Sequence, residues 1–389
     1  MLFTIVTFFA VLGILVLVHE LGHFFAARKG GVKVEEFGLG LPPRIFGFYK
    51  NDEGKWKPVG LKTKQVNGTI WSLNWIPLGG FVKIKGEEGG NAEEEDSFAH
   101  KSVLRRIWII SAGVLMNVVL AIVFLSFGLA FGSPQMIDDS KLPAFAKIRD
   151  VQIRIMEVLP DSPAARAGLE VADTLLTVDG QTFSRVEDFQ DYFNQKIGIT
   201  VQLEIERKQK KLAKELVPEV IPQIGRGGMG VALVQTGFVS YPWYIAPFYG
   251  VIETVKMIGG IIMGFYLIIK SLIISQQMIG DVYGPVGIAT LVGDAARLGF
   301  LYILQFTAML SVIIAVINFL PFPALDGGRV FFLLIEGLRG KPVNQKLETA
   351  MHNIGFALLM ILAVVITFRD IARISSGFLG WWQKISGLF

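Results

Sequence analysis

Four stretches of this sequence, residues 2–27, 103–131, 301–321 and 354–368, are long, apolar and almost free of charge. A helix needs roughly 20 apolar residues to span the hydrocarbon of a bilayer. Inside lipid the backbone must satisfy its own hydrogen bonds, so runs of this kind fold as packed membrane helices. Composition agrees: 52% of residues are hydrophobic, only 18% are charged, and there are 30 phenylalanines, too apolar a balance for a soluble domain of this length. The expected fold class is therefore a polytopic α-helical membrane protein with about four transmembrane helices. A further apolar stretch, 244–275, is interrupted by Glu253, Lys256 and Lys270. It reads as an amphipathic or partly inserted helix.

Charge sets the expected topology. The loop 28–106 carries 14 Lys and Arg, which marks it as cytoplasmic. The N-terminus and the polar region 133–240 then lie outside the cytoplasm. No Lys or Arg precedes Arg28, so the first run is expected to be a retained helix and not a cleaved signal peptide. Residues 66–85 have strand character, with Asn67-Gly68 as a hairpin turn signal. Ile70, Trp71, Leu73, Trp75, Ile76, Phe81, Val82 and Ile84 make these strands apolar enough to need burial or a membrane surface. The chain divides into 1–132 (two spans and the hairpin), 133–240 (an outer domain), 241–300 (the amphipathic segment) and 301–389 (two spans). The absence of cysteine excludes disulfides, thiolate metal sites and cysteine nucleophiles. A net charge of +4 with no basic tract gives no sign of a nucleic-acid partner.

His19-Glu20-Leu21-Gly22-His23 is an H-E-x-x-H motif inside the first apolar run. Four residues are just over one helical turn, so both imidazoles leave one face and can share a zinc ion. Glu20 can then reach a water on the open coordination position. Zinc brings the pKa of such a water toward ~7, where a carboxylate can take its proton. Five-residue patterns do occur by chance. Here, however, His19 lies roughly 14 Å deeper than Arg28 at 1.5 Å per residue, where ionisable groups are costly and mark function. A third ligand is needed. His100 adjoins an acidic linker and His352 precedes the last span, and both read as ordinary surface or interfacial residues. Asp326 stands out, after Pro321 and Pro323 have interrupted a helix and just before Gly327-Gly328. A plain helix-ending turn explains that segment equally well.

With these motifs in view, the sequence resembles the site-2 protease family of intramembrane metalloproteases, in its bacterial regulator-of-sigma-E branch. The resemblance rests on His19–His23, on Asn318 through Gly328 in a later helix about 300 residues away, and on an insert between them. It implies that His19, His23 and Asp326 bind zinc and that Glu20 is the catalytic base. It further implies cleavage within or near the transmembrane segments of single-span proteins, after their outer portions have been trimmed. The setting it implies is a bacterial cytoplasmic (inner) membrane. Pro77 through Lys83 resembles the family's membrane-associated β-hairpin, which holds substrate as an added strand. Gly79 and Gly80 thus become candidate substrate contacts, as do Pro321 and Pro323. Asn318 and Asn117 are candidates for binding the substrate backbone or polarising its carbonyl. Interhelical hydrogen bonding is the alternative for both asparagines.

The outer region, with a core over 151–224, resembles a single α+β PDZ domain. Ser162 to Leu169 reads as a loop into a short helix, 172–180 as strand and turn, and 201–207 as an alternating strand. No glycine-rich carboxylate-binding loop precedes Val151, which speaks against binding of free C-termini; recruiting substrates and filtering them by size are the two roles expected of this domain. Two other classes compete with a protease: a membrane scaffold with an inert metal motif, and a transporter. The intact Glu20 weakens the first. The lack of repeated broken helices weakens the second.

Overall fold

The computed structural model describes residues 2–61, 66–87, 89–137, 143, 145–207, 210–221, 226–274 and 283–386. Helix α1 (Leu2–Lys29) is followed by strands β1 (Val34–Lys50), β2 (Trp56–Val59) and β3 (Ile70–Ile84), then by helix α2 (Val103–Phe131). The region 133–240 supplies β4 (Ser133–Met136), β5 (Lys147–Val158), α3 (Pro163–Arg166), β6 (Thr174–Val178) and α4 (Val186–Gln195). It continues with β7 (Val201–Arg207), β8 (Lys210–Leu216), β9 (Glu219–Ile221), β10 (Arg226–Gly228) and β11 (Val231–Ser240). The C-terminal helices are α5 (Ala246–Ile274), α6 (Pro285–Leu298), α7 (Phe300–Phe319), α8 (Asp326–Arg339) and α9 (Gln345–Ser386). These form two compact units, Met1–Leu125 with Phe248–Phe389, and Ser126–Pro247.

In the first unit, α1 runs without proline or charge until Glu20. It stops where Gly31 takes φ +69° and the Val32 N–H donates to the Ala27 carbonyl. Outward residues such as Phe3, Ile5, Val6 and Phe9 are exposed, as suits helices solvated by lipid. Lipid offers little hydrophobic drive for helix association, so contacts between spans depend on close packing of small residues. Gly22 supplies one: a methyl there would overlap the Ala112 carbonyl of α2. The resulting close approach of α1 and α2 sets the geometry of the site.

Among the described residues, five helices are long and apolar enough to cross a membrane, against the four or so strong spans read from the sequence. The addition is α5. Glu253 and Lys256 pair with each other at 2.8 Å, one turn apart, so the charges do not interrupt the helix. Met257, Ile258 and Ile261 of α5 pack against Ala121 and Leu125 of α2 and Ala308 and Val312 of α7. The segment thus packs on α2 and α7; Ser275, where the sequence reading ends it, lies outside the described residues. Helix α7 runs with α1. Ile303 of α7 packs with Phe8 and Val11 of α1, while Asp326, which opens α8 beyond the C-terminal end of α7, meets His19 further along α1.

Asn67-Gly68 does not close the hairpin. In the three-stranded sheet β2-β1-β3, Phe37 is opposite both Val82 and Trp71, and Leu39 opposite both Gly80 and Leu73. So β3 reverses direction around 76–79, where Gly79 takes φ +84°, and its two arms lie on either side of β1. Phe24, Phe37 and Trp71 pack as a ring cluster that ties this sheet to α1.

In the second unit, β5, β6, β7, β8, β11 and β4 form one antiparallel sheet ordered β4-β11-β5-β6-β7-β8. Strand β7 alternates buried Val201, Leu203 and Ile205 with exposed residues, the period-two pattern of a one-sided sheet. Helix α4 lays Phe189 and Phe193 on that core. Ser162 caps α3 through its Oγ, which accepts from the Ala165 N–H, and Pro163 takes the first helical position. Of the two strands beside β5, β6 and β11, the latter comes from the C-terminal end of the unit. The glycine-rich turn before that strand is therefore Gly228-Met229-Gly230, far downstream of Val151. The expected core boundary at Ile224 lies outside the described residues.

Candidate metal centre

His19 and His23 project from one face of α1, ring centroids 4.8 Å apart. Their Nε2 atoms lie 3.2 Å from each other. Asp326 meets both: its Oδ2 is 3.1 Å from His19 Nε2 and 3.3 Å from His23 Nε2. Asp326 does not end a helix but opens α8, in its first turn. The turn at 320–325 is tight enough that methyl groups on Gly327 and Gly328 would overlap the carbonyls of Leu320 and Phe322. These glycines let α8 start against the end of α7 and aim Asp326 at α1.

The three donor atoms suit a cation. Zinc holds nitrogen and oxygen ligands at about 2.0–2.1 Å, which makes a tetrahedral edge about 3.3 Å long. The three separations of 3.1, 3.2 and 3.3 Å are edges of that size. Asp326 Oδ2 is buried and has no aligned hydrogen-bond donor, so an oxygen with two imidazole nitrogens beside it is left unsatisfied by protein alone. The histidines, at 11% and 12% side-chain exposure, are held in a largely enclosed site.

Helix α2 fixes the rings from behind. His23 Nδ1 lies 3.0 Å from the Ile109 carbonyl, which requires the proton on Nδ1 and leaves Nε2 with its lone pair. His19 Nδ1 lies 3.3 Å from the side-chain amide of Asn117, which is fully buried. The Asn117 Oδ1 is without a partner as drawn. Turning the amide over satisfies it with a proton on His19 Nδ1 and frees His19 Nε2 in the same way. Ser311 Oγ donates to the Asn117 carbonyl at 2.7 Å, joining α7 to this arrangement. Asn117 thus faces the back of His19, an interhelical hydrogen bond of the kind the sequence offered beside a substrate contact. Gly113 is close enough that a methyl would overlap His23 Nε2 and stand 2.9 Å from His19 Cε1.

Glu20 points toward β3. A methyl on Gly80 would lie 3.3 Å from Glu20 Cγ. Gly79 faces open space. Asn318 lies in the last turn of α7, with Pro321 and Pro323 in the turn that follows. His100 is exposed, its Nδ1 3.1 Å from the Ala92 carbonyl. His352 is not the ordinary interfacial residue expected from sequence, because its Nδ1 accepts from the Ala324 N–H at 2.8 Å. Gly113, Ile109, Ser311 and His352 carry no motif, and spacing along the chain gives no sign of them.

The model of peptidase family M50 matches residues 7–362. A Clostridium perfringens protein assigned as a zinc metalloprotease is 34% identical over 92% of this chain and 95% of its own length. Zinc metalloprotease RasP of Oceanobacillus iheyensis is 27% identical over 95% of this chain and 99% of its own. Among solved structures, the PDZ domain of an SdrC-like protein from Listeria monocytogenes is 28% identical, covering 22% of this chain and 92% of that one, with a TM-score of 0.21. With the matched family spanning both the histidine pair and Asp326, this chain belongs to peptidase family M50, the site-2 proteases: a multi-pass membrane zinc metalloprotease.

Proposed function

We propose that this protease hydrolyses a peptide bond in or beside the transmembrane segment of single-span membrane proteins, with Glu20 as the proton-transferring base. The observation that carries the reading is the convergence of His19, His23 and Asp326 beside Glu20 on a membrane helix. In it, His19, His23 and Asp326 hold the zinc ion. Bound there, zinc supplies a Lewis acid that polarises a carbonyl and acidifies water. Glu20 takes the proton of the attacking water and delivers it to the leaving amide nitrogen.

Substrate enters as an extended segment. A transmembrane helix hides its amides in its own hydrogen bonds and must unwind before one can be cut. The arm of β3 that follows its reversal, with Gly80 beside Glu20, offers backbone groups for an added strand. Asn318, Pro321 and Pro323 line the approach from the Asp326 side. Anti-sigma factors and signal-peptide remnants are substrates of fitting form. The protein sits in a bacterial cytoplasmic membrane with its N-terminus and its PDZ-like unit outside. Parallel α1 and α7 require an even number of crossings between α2 and α7, so a crossing by α5 needs a return within 275–299. The PDZ-like unit recruits or filters substrate. Its glycine-rich turn before β11 removes the objection that no such turn precedes Val151. Deleting the unit should weaken cleavage if it recruits and widen the substrate range if it filters.

The test is cleavage of outer-trimmed, single-span proteins by purified protein, with and without a zinc chelator, beside Glu20→Gln. Chelator-sensitive cutting by the wild type alone is expected. Undiminished cutting by Glu20→Gln would overturn the mechanism.

A further inference from the structure

We infer that His352 is a positioning residue for the zinc site, acting through the strained turn that carries Asp326. This rests on the proposed assignment of Asp326 as a ligand. Three observations lead to it. Ala324, two residues before Asp326, takes φ +82°, a region that L-residues other than glycine avoid because Cβ crowds the backbone. Its N–H donates to His352 Nδ1, on α9, at 2.8 Å. One turn further along α9, a methyl on Gly355 would overlap the Pro323 carbonyl and stand 2.8 Å from Pro323 Cβ. Helix α9 therefore presses on the turn at Pro323 and holds it at Ala324.

The ring of His352 is itself fixed. It packs on Phe332 of α8 with centroids 5.7 Å apart, and its Nε2 is buried. Because Phe332 belongs to the helix that Asp326 opens, one side chain braces both sides of the ligand. A strained backbone persists only where its surroundings hold it. Without the acceptor at His352, Ala324 relaxes toward negative φ and swings the following peptides, so Asp326 Oδ2 leaves the position where it meets both imidazoles.

The experiment measures zinc affinity of the full-length protein in lipid nanodiscs, by competition with a chromophoric chelator. His352→Leu removes the acceptor and is expected to weaken zinc binding about tenfold or more, the scale of lost support behind a ligand. His352→Asn places an oxygen where Nδ1 was and is expected to stay near wild type. The decisive variant is Ala324→Gly, since glycine holds positive φ without strain. Added to His352→Leu, it should recover most of the lost affinity; alone it should change little. Wild-type affinity in His352→Leu, or a loss that Ala324→Gly leaves unrelieved, would overturn the inference while leaving the proposed function intact. Failure of the wild type to bind zinc stoichiometrically would overturn both.

Discussion

Gly113→Ala puts a methyl where helix α2 meets the two histidines. The added carbon would overlap His23 Nε2 and lie 2.7 Å from its Cε1 and 2.9 Å from His19 Cε1. His23 cannot yield freely, because Nδ1 is tied to the Ile109 carbonyl, one turn earlier on the same helix. Swinging the ring gives up that hydrogen bond, about 0.5–1.5 kcal/mol, and moves the side chain off its rotamer for about the same again. Moving α2 instead opens the contact of Gly22 with Ala112 and incurs an overpacking cost of about 1–3 kcal/mol. Either route comes to about 1–3 kcal/mol charged against the metal-competent geometry. At 1.36 kcal/mol per decade this is about 5- to 160-fold weaker zinc binding. Alanine also favours helix over glycine by up to about 1 kcal/mol, so overall stability should hold while affinity falls. Gly13→Ala is the matched control, on α1 with nothing within 4 Å of the added methyl. Chelator competition on the purified protein in nanodiscs gives the affinities. Zinc binding by Gly113→Ala within twofold of Gly13→Ala would refute the placement of α2 against the histidines.

Other outcomes follow from the same structure. Glu20→Gln should retain zinc, read by elemental analysis, while cleavage falls about 10²–10⁴-fold, the usual worth of a general base. Stripping zinc with a chelator should abolish cleavage, and adding zinc back should restore it in the wild type but not in Asp326→Ala. In the PDZ-like unit, Arg207→Ala leaves the buried Asp173 carboxylate without its guanidinium partner at 2.6 Å and should destabilise the unit by about 2–3 kcal/mol; denaturant-dependent proteolysis of the full chain reads this. The Gln202 N–H and the Tyr192 hydroxyl hold the Asp179 carboxyl below the usual carboxylate range. Its contribution to stability is complete above the unfolded pKa of about 3.9 and is lost as pH falls through the lower folded value. Asp179→Asn should therefore flatten the acid limb of the unit's stability profile, followed by the same proteolysis.

The sequence by itself determined what depends on neighbours along the chain. His19 and His23 share a face because helix geometry repeats every 3.6 residues, and the apolar runs must be helices because lipid offers the backbone no partners. The alternation in β7 and the Ser162 cap are equally local. Asp326 could be singled out as a candidate, but a helix-ending turn explained its surroundings as well. Only the packing of α8 against α7, allowed by Gly327 and Gly328, turned that segment into the start of a helix aimed at α1. The charges that seemed to interrupt 244–275 pair across one helical turn, and α5 packs on α2 and α7. Asn67-Gly68 closes no hairpin; instead β3 reverses around 76–79 and its two arms pair on either side of β1, a pairing no local turn signal encodes. Asn117 is 98 residues from His19, and Ile109 is 86 from His23. No periodicity encodes contacts over such separations, because they arise where two helices happen to approach. For that reason Gly113, Ser311 and His352 became legible only once the tertiary structure had brought α2, α7 and α9 to the metal centre.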